Sequence, residues 1–255
     1  ISALIVDYNE SEKLRNCLKS VYFCNEIIYV DLYSEDDSIN IAKEYTDFVY
    51  LSEKEPFGEL TQKKFINKTN YDWVLIIDPD EVIDDKLQND IVNFFKTVID
   101  KHIGGISVPW LFYFSNKPIK GSIWGSNNSK IILFRKSAVN FTDEVHTSRK
   151  IKSPYTTFTI NKNGNNVLHH FWMDNKKQWF EKHNRYLNFE AESRIRNNRS
   201  INIFKLLFSP FYYFFQSYIS KKGYRSFIGF YLSIYWSWYQ TKASYLHLLE
   251  LKKNE

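Results

Sequence analysis

The chain has 255 residues, of which 44% are hydrophobic, 25% charged and 18% aromatic. This composition excludes a disordered or low-complexity chain, and the length allows one or two domains with a large core. The net charge of +5 is unevenly distributed, because Ser193–Leu249 holds eight Lys and Arg residues and no Asp or Glu, which leaves −3 for the remainder. An acidic body joined to a basic, aromatic tail indicates a nucleic acid or an anionic membrane as partner.

Apolar runs and helical periodicity alternate along the first 80 residues. The runs predict four buried strands: Ser2–Asp7, Glu26–Asp31, Asp47–Leu51 and Trp73–Asp78. Between them the sequence predicts helices after Ser11, read as an N-cap, then over Ser38–Tyr45 and over residues 58–69. Such alternation predicts right-handed βαβ units and a mostly parallel sheet with helices on both faces.

The rest of the chain predicts a mixed extension of this sheet, followed by helices. The predicted elements are a helix over Asp84–His102, strands over Ile106–Phe114 and Lys130–Arg135, and a helix over Asn175–Arg196. Two aromatic helical segments complete the chain, the first interrupted by Pro210 and the second set off by Gly223.

Acidic residues end three of the predicted strands. Asp7, Asp31 and Asp78 come after apolar runs, and Asp80 and Glu81 follow directly in Asp78-Pro-Asp-Glu81. Ligands of open α/β sheets bind beyond the carboxyl ends of the strands, and paired carboxylates there suit Mg²⁺ or Mn²⁺ with phosphate oxygens. The alternative interpretation is an acidic helix N-terminus that complements the dipole of the following helix.

Two common phosphate-binding loops are missing from the sequence. It has no G-x-x-x-x-G-K-[ST] motif and no G-x-G-x-x-G after the first strand, which argues against a P-loop enzyme and an ordinary nicotinamide dehydrogenase. Three acidic strand ends that converge instead suit a ligand that offers hydroxyls to the acids and a diphosphate to a metal ion. A nucleoside diphosphate sugar has both groups.

Four segments in order resemble glycosyltransferase family 2, which has the GT-A fold. Ile5-Val-Asp-Tyr-Asn-Glu10 resembles the opening strand and "TYNE" loop, and Val30-Asp31 to Ser38 is similar to the "VDSGSTDxT" turn. Gln62-Lys63-Lys64 before Asp72-Trp73-Val74 matches "QKNFAL…GDWVL", and Asp78-Pro-Asp-Glu81 stands at the "DADE" metal motif. The resemblance covers essentially the whole chain and implies a Rossmann-like α/β sheet with a C-terminal amphipathic helical extension.

The resemblance also implies a role for each matching residue. Tyr8, Asn9 and Glu10 would flank the base and ribose of the nucleotide sugar, and Asp31 would contact the base or ribose. Asp36 would support the loop, and Lys63 would lie near the donor. Asp78 would contact the ribose or the metal shell, and Asp80 would ligate Mn²⁺ or Mg²⁺. As alternatives, Asp31 and Asp36 would only organise a turn, and Glu10 and Ser11 would only cap a helix.

The chain departs from the family pattern at two places in this half. Leu32-Tyr33 replaces small residues of the turn, and Asp7 replaces the usual Thr.

The second half should supply a general base for inverting transfer. Phe141-Thr-Asp-Glu-Val-His146 resembles the "VHE" motif of the lipopolysaccharide-core branch, but Thr147 stands where that branch has Glu. Asp143 and Glu144 are therefore the candidate bases, and His146 a candidate hydrogen-bond partner of donor or acceptor. The alternative is two solvated acids at a strand end.

His170 matches a histidine of the same branch and is a candidate metal ligand. Its alternative is a hydrogen-bonded structural role. Trp110, Trp124 and Trp172 would stack on sugars or simply pack in the core.

The tail combines helical spacing of aromatic residues with positive charge. Neither aromatic segment reaches the roughly 20 apolar residues that a membrane span needs. We interpret both as interfacial helices on an anionic membrane, or as helices packed on the catalytic domain or on a second subunit of a homodimer. Nucleic acid ranks low, because the aromatics look amphipathic rather than mounted on a sheet.

These patterns together predict a catalytic domain over residues 1–200, with a donor half (1–102) and an acceptor half (103–200), and a membrane-associating extension over 201–255. Cys17 and Cys24 fit no metal spacing and predict buried, reduced thiols, which favours a cytoplasmic protein, peripheral on the inner face of the cytoplasmic membrane.

The predicted activity is metal-dependent, inverting transfer of a sugar from a nucleotide donor, first of all a UDP-hexose, to a lipid-linked or lipopolysaccharide-type glycan. The alternatives are a sugar-phosphate nucleotidyltransferase and a non-catalytic membrane scaffold.

Overall fold

The computed structural model describes residues 1–55, 58–97, 100–126, 129–141, 149–174, 176–196 and 199–253. The strands within these ranges are β1 (Ser2–Asp7), β2 (Glu26–Asp31), β3 (Val49–Leu51), β4 (Trp73–Ile77), β5 (Glu81–Ile83), β6 (Ile103–Phe114), β7 (Lys117–Pro118), β8 (Ser129–Arg135), β9 (Val139–Phe141), β10 (Arg149–Ile151), β11 (Thr156–Thr159) and β12 (Leu168–Met173). The α-helices are α1 (Ser11–Ser20), α2 (Ser38–Lys43), α3 (Gly58–Phe65), α4 (Asp85–Thr97), α5 (Ser122–Gly125), α6 (Lys176–Arg196), α7 (Ile203–Phe215) and α8 (Phe227–Lys253).

The main sheet has the strand order β3-β2-β1-β4-β8-β6-β12-β5. Strands β1, β2, β3 and β4 pair in parallel, as the alternation of strands and helices predicts. From β8 onward the sheet is mixed, because β8 pairs antiparallel with both β4 and β6. The α/β class and the mostly parallel first half are therefore confirmed.

Apolar side chains cover both faces of the inner parallel strands β1, β2 and β4. On one face Ala3 and Ile5 of β1 lie in a cluster with Leu14 and Leu18 of α1 and with Ile91 of α4. On the other face alternate residues lie in a second cluster, which contains Leu4, Ile28, Val74, Ile76, Ile66 and Phe134. Burial on both faces explains why these strands are apolar at every position instead of at every second one.

The predicted strands and helices all occur, with shifted ends. One local prediction is wrong: Ser11 does not cap α1. Glu10 occupies the N-cap position, and its own side chain makes no capping hydrogen bond. The carboxylate of Asp36, from the loop before α2, instead accepts the backbone N–H of Ser11 at 2.9 Å.

Pro210 does not interrupt its helix, although the sequence predicts a break there. Helix α7 continues through it to Phe215. A proline at this position cannot donate to the carbonyl of Leu206. The hydroxyl of Ser209 donates to that carbonyl at 2.8 Å, which satisfies the acceptor and allows the helix to continue.

The chain divides into two compact units. The first comprises Ile1–Trp110 and Ser129–His170, and the second comprises Leu111–Asn128 and Phe171–Glu255. Among the described helices, none combines the length and apolar character that crossing a membrane requires. The functional boundary at residue 200 stays a prediction.

Candidate active site

The acids that follow β1, β2 and β4 lie at one edge of the sheet. Asp7 is in register with Asp31, and Ile5 is in register with Ile77, the residue before Asp78. Parallel strands place their carboxyl ends at the same edge, which is where ligands of such sheets bind. The convergence expected from the sequence is present.

A buried tyrosine joins the first two of these acids. The hydroxyl of Tyr29 lies 2.8 Å from Oδ2 of Asp7 and 3.1 Å from Oδ2 of Asp31, and all three side chains are buried. Burial raises the pKa of Asp7 to about 6, against the hydrogen bond from Tyr29. Because the hydroxyl has one hydrogen for two carboxylates, a proton on Asp7 relieves the shortage of donors below that pH.

The loops after β1 and β2 are tied to each other by side chains predicted to surround the nucleotide. The backbone N–H of Asn9, a residue with φ of 56°, donates to Oγ of Ser34, and its Oδ1 accepts from the N–H of Glu35 at 2.7 Å. Oδ1 of Asp31 accepts from the N–H of Ser34 at 2.7 Å. These contacts shape the turn that contains Leu32-Tyr33.

Asp36 supports the same loop from its other end. Its two oxygens accept the N–H groups of Ser11 and Ser38, at 2.9 and 3.0 Å. Burial acts to raise the pKa of Asp36, but the hydrogen bonds from Ser38 and Ser11 outweigh it and bring the pKa to about 2. This is the geometry expected of a loop-supporting residue.

Three other residues predicted near the donor lie on or beside these loops. Tyr8 has the Nζ of Lys54 3.0 Å from its ring centroid, and Glu10 lies 3.8 Å from the Nζ of Lys13. Lys63 is exposed on α3, and in the described part of the chain no contact joins it to the acids at the strand ends.

A partly buried lysine from β8 holds the acids that follow β4. Nζ of Lys130 lies 2.9 Å from Oδ2 of Asp78 and 2.7 Å from both carboxylate oxygens of Glu81. Glu81 is fully buried and also accepts from Nε1 of Trp110 at 3.0 Å.

The charges in this cluster shift one another's pKa. Burial acts to lower the pKa of Lys130, but Asp78 and Glu81 raise it above its ordinary value. Burial acts to raise the pKa of Asp78, yet the charges of Lys130 and Arg149 hold it well below its usual range. For Glu81 burial dominates, and its pKa is raised.

His170 lies beside Asp80, as the predicted metal site requires. The antiparallel pairing of β12 with β5 sets His170 opposite Glu81. Nε2 of His170 is 3.3 Å from Oδ2 of Asp80, and its ring stacks on Trp110 with centroids 5.3 Å apart and planes 6° apart. The stacking on Trp110 restrains the imidazole next to the carboxylate.

The pair Asp80–His170 fits a divalent cation in the chemistry of its donor atoms. A carboxylate oxygen and an imidazole nitrogen both ligate Mn²⁺, and a cation at such a pair would take its remaining ligands from phosphate oxygens and water. Among the described residues there is no cluster of three or more His, Cys, Asp or Glu side chains arranged for a metal. Asp78, the third predicted member, is paired with Lys130 instead.

The candidate bases lie outside the described residues. Asp143, Glu144, His146 and Thr147 all fall between 141 and 149, a stretch that the structure does not describe.

Sequence reasoning missed Lys130 and Tyr29. Tyr29 left a weak signal, because it is two residues before Asp31 and therefore on the same face of β2. Lys130 left none beyond its place at the start of a predicted strand. Trp110 was only a candidate for sugar stacking, and here it bridges Glu81 and His170. Trp124 and Trp172 pack on each other and on Trp179 in the second unit.

Comparison with known proteins identifies the family of the chain. Residues 2–173 match the model of Glycosyl transferase family 2. An uncharacterised glycosyltransferase of Rickettsia conorii is 25% identical over 233 residues, which cover 87% of this chain and 80% of that protein. The lipopolysaccharide core biosynthesis glycosyltransferase LpsC of Rhizobium meliloti is 25% identical over 228 residues, 86% of this chain and 80% of that protein.

A solved structure matches over nearly the whole chain. The mannosyltransferase PcManGT from Pyrobaculum calidifontis, in complex with GDP-Man and Mn²⁺, aligns with a TM-score of 0.60 at 12% identity, covering 98% of this chain and 87% of that one. This likeness bears on the fold and supports the GT-A assignment. With two thirds of its residues matched by the family model, the chain belongs to glycosyl transferase family 2.

Proposed function

We propose that this glycosyltransferase moves a hexose, with inversion, from a nucleotide sugar to a membrane-associated bacterial glycan such as lipopolysaccharide or lipooligosaccharide core. The observation that carries the proposal is the cluster at the carboxyl edge of the sheet, where Asp80 and His170 stand 3.3 Å apart beside the Lys130–Glu81 pair.

The donor would lie across the ends of β1, β2 and β4. In this proposal Tyr8, Asn9 and Glu10 flank the base and ribose, and Asp31 accepts a hydrogen bond from one of them. Asp78 contacts the ribose or the metal shell. UDP-hexose is the first donor to test, and GDP-mannose, the class of donor named for the Pyrobaculum mannosyltransferase, is the second.

Asp80 and His170 would hold Mn²⁺ or Mg²⁺ in this proposal. When bound, such an ion supplies Lewis-acid stabilisation of the diphosphate leaving group. The chain's own contribution is to hold the Asp80 carboxylate and the His170 imidazole at the edge of the sheet, with Trp110 stacked behind the imidazole.

The acceptor side of the proposal has two parts. Asp143 or Glu144 would take the proton from the attacking hydroxyl as the glycosidic bond forms, with His146 as a hydrogen-bond partner. The lipopolysaccharide-type acceptor is supported by the name of the LpsC relative and by the basic, aromatic tail. A cytoplasmic protein, peripheral on the inner face of the membrane, would meet such an acceptor there.

The experiment is a donor panel. The protein is incubated with UDP- and GDP-linked hexoses and Mn²⁺ or Mg²⁺, and release of the nucleoside diphosphate is measured. We expect release with one donor, its loss in Asp80→Ala, and its retention in Asp85→Ala, an exposed acid five residues further along the chain. Release of pyrophosphate from a nucleoside triphosphate would instead indicate a nucleotidyltransferase, and no turnover or donor binding would indicate a non-catalytic scaffold.

A further inference from the structure

Helix α7 carries its large apolar side chains on the outside of the second unit. Seven of them are between 53% and 69% exposed. They form what we name the outer face of α7: Ile203, Phe204, Leu207, Phe208, Phe211, Tyr212 and Phe215. Exposed apolar side chains scattered singly are ordinary, but a contiguous set on one helix marks an interaction site.

The opposite side of α7 presents polar atoms to α8. Oγ of Ser209 lies 3.1 Å from Oγ1 of Thr241, and Oγ of Ser237 donates to the carbonyl of Pro210 at 2.6 Å. In the π-helical turn that follows α7, Gln216 accepts from Nε1 of Trp236 at 3.1 Å. Tyr213 and Phe214 also contact Trp236 and Phe230 of α8. Helix α7 therefore has large apolar side chains on its exposed side as well as on its packed side, whereas a surface helix of a globular protein turns its apolar stripe toward the core.

Helix α8 buries more of its apolar side chains than α7 does. It buries Leu232, Tyr235, Tyr239 and Ala243 within the second unit. Tyr235 lies with its ring centroid 3.8 Å from that of Trp179 on α6. The sequence leaves interfacial and packing roles open for both aromatic segments. In the structure α8 serves mainly for packing, and α7 presents the larger apolar face.

The charged residues on α7 and in the segment directly after it have one sign. Lys205 lies on α7, and Lys221, Lys222 and Arg225 are exposed just beyond its end. No Asp or Glu occurs from Ser193 to Leu249. A symmetric contact between two copies would bring these cations toward each other without a compensating acid, whereas an anionic surface complements them.

We propose that the outer face of α7 docks on an anionic lipid bilayer, with the helix lying in the plane of the interface. This inference rests on the proposed function, because a membrane-linked acceptor gives the docking its purpose. The 13 residues of α7 span about 20 Å, less than the roughly 30 Å of hydrocarbon core, so the helix lies on the bilayer instead of crossing it. Phe and Leu side chains enter the boundary region while Lys and Arg contact the anionic headgroups.

The test is co-sedimentation of the full chain with vesicles of phosphatidylcholine alone and with ~30 mol% phosphatidylglycerol added. The apolar variant is Phe208→Gln with Phe211→Gln, and its matched control is Tyr22→Gln with Phe48→Gln, exposed aromatics of the first unit. The charge variant is Lys221→Gln with Arg225→Gln, matched by Lys43→Gln with Lys96→Gln. Thermal unfolding of each variant checks that it remains folded.

We expect the wild type to bind the phosphatidylglycerol vesicles more tightly than the neutral ones. The apolar variant should bind the anionic vesicles about tenfold or more weakly, the charge variant roughly tenfold more weakly at low salt, and both controls like the wild type. Undiminished binding by the folded apolar variant would overturn the proposal. A second result would also overturn it: the wild type does not bind vesicles, but sedimentation velocity shows a dimer that the apolar variant does not form.

Nucleotide release without vesicles separates this result from the proposed function. The apolar variant should keep wild-type release, because its substitutions lie on α7 and not among the acids of the sheet. A protein that releases no nucleotide but still binds vesicles through α7 would contradict the proposed function and leave the docking surface intact.

Discussion

Lys130 is a partly buried cation between Glu81 and Asp78, and the proposed function gives Asp78 a role at the ribose or the metal shell. Its ammonium contacts Asp78 and Glu81, and Glu81 in turn accepts from Trp110, the residue on which His170 stacks. We infer that Lys130 is a positioning residue, which holds the Glu81–Trp110–His170 arrangement beside Asp80.

Replacing Lys130 by Met should destabilise the protein, because it leaves the buried Glu81 carboxylate without its counter-ion. We expect the free energy of unfolding in urea to fall by about 3 kcal/mol at pH 7. Glu81→Gln in the same chain should recover part of that loss, since the neutral amide needs no counter-ion. Additive effects of the two substitutions in a double-mutant cycle would contradict the pairing.

Asp7 predicts a dependence of stability on pH. Its pKa is raised from 3.8 to about 6 by burial, so the folded state holds the proton more tightly than the unfolded state. Stability from this group is therefore fully present below pH 4 and is lost as the pH rises through about 6. The free energy of unfolding falls by about 3 kcal/mol in total. The groups that act on Asp7 besides burial include the hydrogen bond from Tyr29 and the charges of Asp31 and Asp36.

The variant Asp7→Asn stays neutral and should escape this loss. The quantity to measure is the free energy of unfolding of the variant minus that of the wild type. We expect this difference to be about 3 kcal/mol larger at pH 8 than at pH 4. Urea unfolding across that range measures the difference, and Asp47→Asn, an exposed acid, is the control. A wild-type-minus-variant difference that does not change with pH would contradict the buried, proton-binding Asp7.

At the residue scale the sequence predicts the acids of the site and not the groups that pair with them. Asp7, Asp31 and Asp78 are found because each ends an apolar run, and parallel strands bring their ends together. Lys130 comes from β8, whose antiparallel pairing with β4 is a long-range event that no local pattern encodes. The roles predicted for Asp143 and Glu144 stay predictions, because both residues lie outside the described residues.

At the scale of the elements, apolar runs and helical periodicity locate the strands and helices well and their ends less well. Strand β3 begins at Val49 instead of Asp47, and α2 ends at Lys43 instead of Tyr45. At both local errors, Ser11 and Pro210, a side chain supplies a hydrogen bond that the helix signals leave out. Asp36 accepts from the N–H of Ser11, and Ser209 donates to the carbonyl of Leu206. Short-range propensity does not include such substitutes.

A substitution at Gly229 tests how closely α8 packs on the turn at Gly223, which precedes it. A Cβ on Gly229 would meet the backbone carbonyls of Gly223 and Lys120, the second at 3.0 Å. Gly229→Ala should therefore destabilise the protein by about 1–3 kcal/mol, despite the helix propensity that Ala adds.

The matched control is Gly58→Ala in α3, where a Cβ meets nothing within 4 Å. It should leave the free energy of unfolding unchanged or raise it by up to ~1 kcal/mol. Equal effects of the two substitutions on urea unfolding would show that α8 does not approach the turn closely.

At the scale of the whole molecule, the basic tail is part of a packed unit and not only an appendage. Trp179 of α6 is fully buried and packs on Tyr235 of α8, and Nη1 of Arg194 on α6 donates to Oγ of Ser244 at 2.9 Å. The charge asymmetry between body and tail therefore does not coincide with a structural boundary.

A chain that ends after Arg199 should consequently lose cooperative folding of the second unit. Removal of α8 exposes Trp179 and leaves Arg194 without Ser244 and Gln240. We expect increased binding of a hydrophobic dye and a lower Tm than the full chain. Unchanged Tm and dye binding would mean that residues 201–255 are a separable extension.

The most direct test of the central claim, that the acids at this sheet edge hold a nucleotide sugar together with a divalent cation, is calorimetry of UDP and GDP binding with and without Mn²⁺. We predict that one nucleotide binds at least about tenfold more tightly with Mn²⁺, and that this difference disappears in Asp80→Ala and persists in Asp85→Ala. Equal affinity with and without Mn²⁺, or an Asp80→Ala variant that keeps the full difference, would contradict the account.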